Sequence, residues 1–164
     1  MRYLFVVIAA VLLSCTVQAQ LSISLGFNIA SQPIWGPTGY DHAEYYYLPD
    51  IEVYYNVPQH VYYYNEGGRW RSGASLPSRY RGFDLYHSYK VVVNEPAPYR
   101  NHKIYKEKYA SYKGRHDQQP IRDSRDSKYF VNKNHPEHNN WAKQQKNDDG
   151  NGKGKGRDKK PGKK

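Results

Sequence analysis

The sequence predicts a mainly β fold: a small antiparallel β-meander with one short C-terminal helix, followed by a disordered basic tail. Three observations predict it. Short runs rich in Tyr and Val recur through the centre of the chain, separated by two- to four-residue clusters of Asn, Gly, Pro and Gln. Such runs fit a pleated, half-buried surface, and such clusters make hairpin loops. One stretch, residues 101–113, changes to helical spacing. Beyond it, periodicity gives way to Lys, Asp, Asn, Gln and Gly.

The chain opens on a positive Met1-Arg2, then an unbroken apolar run over residues 3–13 (YLFVVIAAVLL), then small residues at Val17 and Ala19. This is the three-part pattern of a secretory signal, with cleavage expected between Ala19 and Gln20. The run is shorter than the about 20 residues a bilayer span needs, so no transmembrane segment is expected in the mature form. A second reading takes Leu12-Leu13-Ser14-Cys15 as a lipobox, with Cys15 lipidated and the product an outer-membrane lipoprotein. Cys15 is the single cysteine, and no Asn-x-Ser/Thr sequon occurs. Export without disulfides or glycan acceptors points to the periplasm or surface of a Gram-negative bacterium rather than to a eukaryotic secretory route.

Residues 21–29 (LSISLGFNI) alternate apolar with small or polar side chains, the period of a half-buried strand. The Pro- and Gly-rich stretch 33–39 ends it, and Trp35 within that loop is expected to pack onto the domain. Residues 51–56 (IEVYYN), 61–64 (VYYY) and 69–72 (RWRS) read as three hairpin-linked strands. Tyr45, Tyr46 and Tyr47 lead into them, and residues 89–94 (YKVVVN) form a further strand. Tyr105, Tyr109 and Tyr112 lie on one stripe of the helix, with Asn101 placed to cap its start and Gly114 to close its end. The expected organisation is therefore a signal over residues 1–19, a Tyr-rich domain over 20–113, and a low-complexity tail over 114–164.

The formal net charge is +10, and it is unevenly spread. From Lys113 onward fifteen Lys and Arg face seven Asp and Glu, whereas residues 20–112 are nearly balanced. Lys153, Lys155, Arg157, Lys159 and Lys160 are spaced largely by glycine. Such a segment can neutralise phosphates without folding, which makes anionic lipid, lipopolysaccharide or polysaccharide the expected partner and leaves nucleic acid as a weaker one.

The chemistry-bearing residues are few. Tyr54, Tyr62, Tyr64 and Trp70 are expected to share an aromatic sheet face suited to sugar rings or peptide side chains. The alternative is that they pack beneath a loop or the helix. Asp50 and Glu52, with Glu66 in a nearby turn, are the only acids whose spacing suits glycoside hydrolysis, although acids on an edge strand are ordinarily solvated. His135 and His138 are three apart, but Pro136 and their polar surroundings argue against a metal site. His42, His60, His87 and His102 are scattered. No serine stands in a nucleophile elbow, and no catalytic residue, metal or cofactor is assigned.

The segments QPIWGPTGYD (residues 32–41), YYYLPDI (45–51), Gly67-Gly68-x-Trp70 with Leu76-Pro77, and YKVVVNEP (89–96) together resemble a group of exported Tyr-rich proteins of Gram-negative bacteria. The resemblance covers about residues 32–109, excludes the tail, and implies export but no activity. The expectation is thus a non-catalytic envelope protein that binds or scaffolds through its aromatic sheet, its tail contacting anionic surfaces. A small envelope glycan hydrolase and a secreted structural or matrix protein are the alternatives.

Overall fold

The computed structural model describes residues 28–151. The signal segment with Cys15, Ala19 and Gln20, residues 21–27, and the lysine-rich residues 152–164 lie outside them. Five strands form one antiparallel sheet: β1 (Tyr45–Leu48), β2 (Val53–Asn56), β3 (Val61–Glu66), β4 (Arg69–Gly73) and β5 (Val91–Val93), in the order β4-β3-β2-β1-β5. The first four make the expected meander, and β5 returns along the free edge of β1, pairing Tyr45 with Val93 and Tyr47 with Val91.

The loops explain the register. Gly67 and Gly68 alone join β3 to β4, at φ +58° and +78°, so both adopt the left-handed conformation a type I′ hairpin requires. The β1–β2 and β2–β3 loops are four residues each, and each ends on a non-glycine residue at positive φ: Glu52 and His60, both at +56°. Those positions cost roughly 1 kcal/mol or more for a residue with a Cβ. Asp50 and Glu52 therefore stand in a loop, not on the strand face expected for them, because β2 begins only at Val53.

Both faces of the sheet are covered by the chain itself. One face buries Ala43, Tyr46, Leu48, Val53, Tyr55, Val57 and Tyr62 beneath Trp35 and the residues 76–85 loop. Trp35 lies 4.9 Å from Tyr55 and 5.7 Å from Tyr46, both edge-on, as its loop position led one to expect. The other face buries Tyr45, Tyr47, Tyr54 and Val93 beneath α1 (His102–Lys108) and its flanking 3-10 turns, Pro98–Asn101 and Ala110–Tyr112. Tyr105 supplies the buried contact of α1. Asn101 makes no side-chain cap, whereas Gly114, at φ +76°, closes the segment and donates its N–H to Asp50 Oδ1 at 2.6 Å.

Two sequence expectations need correction. Asn28 and Ile29 do not extend a strand but lie in a helical turn running to Ser31. Its polar side chains bind backbone from elsewhere: Asn28 accepts the Ala43 N–H at 2.7 Å and donates to the Ala43 carbonyl at 3.1 Å. The packed region also continues beyond Lys113. Pro120 bridges Pro37, Ile121 N–H donates to the Gly36 carbonyl, and Arg122 N–H donates to the Ile34 carbonyl. Ile121 and Tyr129 bury fully against Ile29, and Asn132 and His135 are buried too. A few large side chains anchor this segment to the loop at residues 33–39, enough to offset ordering cost without any periodic pattern. A second helix, α2 (His138–Asn151), follows.

Candidate functional site

The cleft richest in chemistry lies where the β1–β2 loop meets α1. It encloses about 270 Å³ and is lined by Asp50, Ile51, Glu52, Asn65, Tyr80 and His102. This volume is just below the about 300 Å³ at which drug-sized ligand pockets begin, so it fits a small polar molecule or part of a larger one.

A hydrogen-bonded chain runs into its wall from the core. The buried Tyr54 hydroxyl lies 3.0 Å from His102 Nδ1, and His102 Nε2 lies 3.3 Å from Glu52 Oε2. Burial, then the neighbouring Tyr47 and Tyr105 phenols, push the Tyr54 phenol far above its ordinary range, so it stays protonated and donates. His102 Nδ1 is then the acceptor, and the Nε2 proton points to the carboxylate. Burial raises the Glu52 carboxyl, but hydrogen bonds from Lys106 and His102 outweigh it and hold the group below the usual carboxylate range. Lys106 Nζ lies 2.8 Å from Glu52 Oε1. Glu52 itself stands at positive φ, at the end of the loop that meets α1.

The other lining groups are also engaged. Tyr80 donates its hydroxyl to the Ile51 carbonyl at 3.0 Å, and Asn65 Oδ1 accepts the Gly68 N–H at 3.0 Å. Asp50 keeps one carboxylate oxygen beyond its bond to Gly114. The site is thus a preorganised rim of acceptors, with an ionised carboxylate as its fixed charge. A general acid needs a carboxyl whose pKa is raised; Glu52 is displaced the opposite way. Glu66 is not part of the cleft: it sits at the end of β3, 3.6 Å from Arg79.

The four aromatic residues singled out from sequence do not share a face. Tyr54 pairs with Tyr63, and Tyr55 with Tyr62, so Tyr54 and Tyr62 point to opposite sides of the sheet. Trp70 joins the Tyr54 side, its ring 5.7 Å from Tyr54 and 5.2 Å from His102. Tyr64 joins the Tyr62 side, under the Arg79 guanidinium. Tyr54 and Tyr62 are buried, Tyr64 and Trp70 partly so. The alternation rule holds within each strand. Across the β2–β3 hairpin, whose pairing joins even-numbered positions to odd-numbered ones, it reverses.

His102 is the member of the cleft that the sequence did not reveal. It lies 50 positions from Glu52 and belongs to no motif, and only the docking of α1 over β2 brings the two together. Lys153, Lys155, Arg157, Lys159 and Lys160 fall outside the described residues, as do Ala19, Gln20 and Cys15. Among the described residues no helix is long and apolar enough to cross a membrane, and no group of three or more His, Cys, Asp or Glu could hold a metal ion. No protein-family model, no curated protein and no solved structure matches this chain.

Proposed function

We propose that the protein is a non-catalytic, exported envelope protein that binds or scaffolds at anionic surfaces, with its cationic side chains as the contact groups. The observation that carries this reading is where the aromatic and the basic residues stand. Tyr45, Tyr46, Tyr47, Tyr54, Tyr55 and Tyr62 are spent inward on two covered sheet faces, so the aromatic sheet serves as a rigid support rather than as an open binding face. Cations without partners stand among the solvent-facing groups. Arg69 and Arg71 on the edge strand β4, Arg100 and Lys103 around the start of α1, and Lys108 and Lys113 at its end are all exposed and form no ion pair among the described residues. The terminal residues 152–164 add seven Lys and Arg against one Asp. Each cation near an anionic membrane contributes about 1 kcal/mol, a term that salt screens.

The test uses the processed full chain and a chain ending at residue 151. Vesicles of phosphatidylglycerol in phosphatidylcholine are compared with pure phosphatidylcholine at low and high salt. Binding should be confined to the anionic vesicles, weaken steeply with salt, and fall by about tenfold or more on truncation. Equal affinity for neutral vesicles, or no affinity for anionic ones at low salt, overturns the reading.

The glycan hydrolase alternative draws on one observation, the grouping of Asp50, Glu52 and His102 around a single cleft. It would require Asp50→Asn with Glu52→Gln to remove an activity on envelope glycan that the parent chain displays. The matrix alternative rests on the tyrosines that stay partly exposed, such as Tyr63, Tyr64 and Tyr99, since Tyr46, Tyr47 and Tyr54 are enclosed in the core.

A further inference from the structure

The sheet ends on β4 at one side and on β5 at the other. Hairpin register fixes which backbone groups face outward along those edges. Glu66 and Arg69 flank the Gly67-Gly68 loop directly, so they exchange both backbone hydrogen bonds, and bonded pairs then alternate along the ladder. Arg69, Arg71 and Gly73 therefore bond to β3, whereas the N–H and C=O groups of Trp70 and Ser72 point away from the sheet. Those groups meet no hydrogen-bond partner among the described residues. On β5 the same alternation turns Lys90 outward, and there the chain itself supplies a partner. Gln118 Oε1 accepts the Lys90 N–H at 2.9 Å, and Gln118 Nε2 donates to the Lys90 carbonyl at 3.0 Å. β4 has no counterpart of Gln118 among the described residues.

The side chains of β4 select what can lie beside it. Arg69 and Arg71 stand on one face with Tyr64, both exposed and without an ion pair among the described residues. The acid opposite Arg69 is Glu66, and it is engaged by Arg79 at 3.6 Å. Arg79 also covers the Tyr64 ring, so this side carries Arg69, Arg71 and Arg79 against Glu66 alone. On the other face Trp70 is half-buried against Tyr54 at 5.7 Å and Tyr99 at 5.6 Å, beside the small, exposed Ser72. Charge on an edge strand guards against pairing with like copies. Antiparallel pairing of β4 with itself through Trp70 would set an arginine opposite an arginine, which is destabilising. Residues 152–164 carry the same sign of charge and are no better matched.

We propose that the free edge of β4 is an interaction surface for an extended acidic segment of another protein, which adds to the sheet as a further strand. Its backbone bonds to Trp70 and Ser72. Its acidic side chains lie opposite Arg69 and Arg71, and the β-branched side chains between them lie beside Trp70. Main-chain bonds supply the affinity, and the arginines select the charge of the partner. The surface is separate from the cleft at Glu52 and does not rest on the membrane reading, although Arg69 and Arg71 serve in both.

The test adds a synthetic peptide of alternating Glu and Val to the processed full chain at low salt, without lipid, and follows the amide signals by NMR. The Trp70 and Ser72 amides should shift saturably and gain protection from exchange. The same peptide with Lys for Glu should bind about tenfold more weakly or worse. The Glu peptide N-methylated at every second amide can be made in two phases, and only the phase that faces β4 should lose binding. Ser72→Pro removes an outward N–H, leaves the ladder to β3 bonded and keeps both arginines. It should weaken peptide binding about tenfold or more while affinity for phosphatidylglycerol vesicles is unchanged. Should Ser72→Pro disturb the hairpin, seen in the Tyr63 and Asn65 amides, the N-methylated peptides decide, since they leave the protein intact. Equal binding of the two N-methylated phases, equal binding of the Glu and Lys peptides, or shifts that avoid Trp70 and Ser72 would each overturn the proposal. So would a Ser72→Pro chain that lost vesicle binding and kept the peptide.

Discussion

Gln32 ties together parts of the chain up to 100 residues apart. Its Oε1 accepts the Tyr46 hydroxyl at 2.8 Å, and its Nε2 donates to Asn28 Oδ1 at 3.1 Å and to the Tyr40 carbonyl at 3.2 Å. Its own carbonyl accepts from Asn132 Nδ2 at 2.5 Å. With Tyr46 and Asn28 it makes a buried polar network in which each member depends on the others. Burial raises the Tyr46 phenol well above its ordinary range, so Tyr46 persists as a donor and needs this acceptor. Replacing Gln32 by Leu keeps the volume but strands the Tyr46 hydroxyl and the Tyr40 carbonyl. The expected loss is about 2–4 kcal/mol, read as a lower urea midpoint with unchanged slope. A loss under about 1 kcal/mol would mean that the network relaxes onto water instead. Close packing adds a second constraint here, since a Cβ on Gly36 would meet Tyr46 Oη at 2.7 Å.

At the scale of elements, α1 is too short to be stable alone, and its place is decided by the sheet beneath it. Its inner side carries Tyr105, buried against Tyr54 at 6.2 Å edge-on, with its hydroxyl donating to Glu95. Tyr99 in the preceding turn stacks on Tyr63 at 4.4 Å. Its outer side carries Ile104, 63% exposed. Two substitutions on one helix should therefore differ sharply. Tyr105→Ala should cost about 3–5 kcal/mol, since it opens a cavity over Tyr54 and unseats the lid that holds His102. Ile104→Ala should stay within about 0.5 kcal/mol. Chemical denaturation of the two variants checks this, and equal costs would mean that α1 does not pack on the sheet. The same lid positions His102 against Glu52, so the cleft and the core are stabilised together.

For the whole molecule, the consequence of a phenol core is its response to alkali. Burial raises the Tyr46, Tyr47, Tyr54 and Tyr62 phenols far above their ordinary values, and pushes Tyr55 and Tyr105 up to about 12, Tyr105 with help from Glu95. The unfolded chain therefore ionises first once pH exceeds about 10, and the contribution of these phenols to stability is lost as pH climbs from there. Lys90 acts in the opposite sense over a lower window. Burial brings its ammonium down to about 8, partly countered by Asp84, although Nζ donates to the Leu85 carbonyl at 2.7 Å and to that of Tyr86 at 3.3 Å. Between about 8 and 10.4 the unfolded state holds the extra proton, so stability rises with pH there. Stability against pH should rise slightly above pH 8, then fall steeply above pH 10. Urea midpoints across this range test the shape, and Lys90→Met should remove the rising limb alone. A steady fall from pH 8 in the parent chain would contradict the assignment of Lys90.

The sequence by itself determined the meander, because period-two patterning and turn chemistry are local properties. Gly67-Gly68, the Tyr-Val runs and the Tyr105 stripe are each legible within about ten residues. The charge asymmetry is legible in the same way. Only the tertiary structure decided the rest. Which tyrosines share a face depends on hairpin register, and the β2–β3 pairing set Tyr54 against Tyr62 where alternation within strands had grouped them. The packing of residues 115–135 rests on irregular turns and on contacts such as Ile121 with Ile29, which leave no periodic trace. His102 meets Glu52 because separate turns of chain are brought to one place. Local order follows from neighbours along the chain, whereas a site needs neighbours in space, and those exist only once burial has chosen one packing among many.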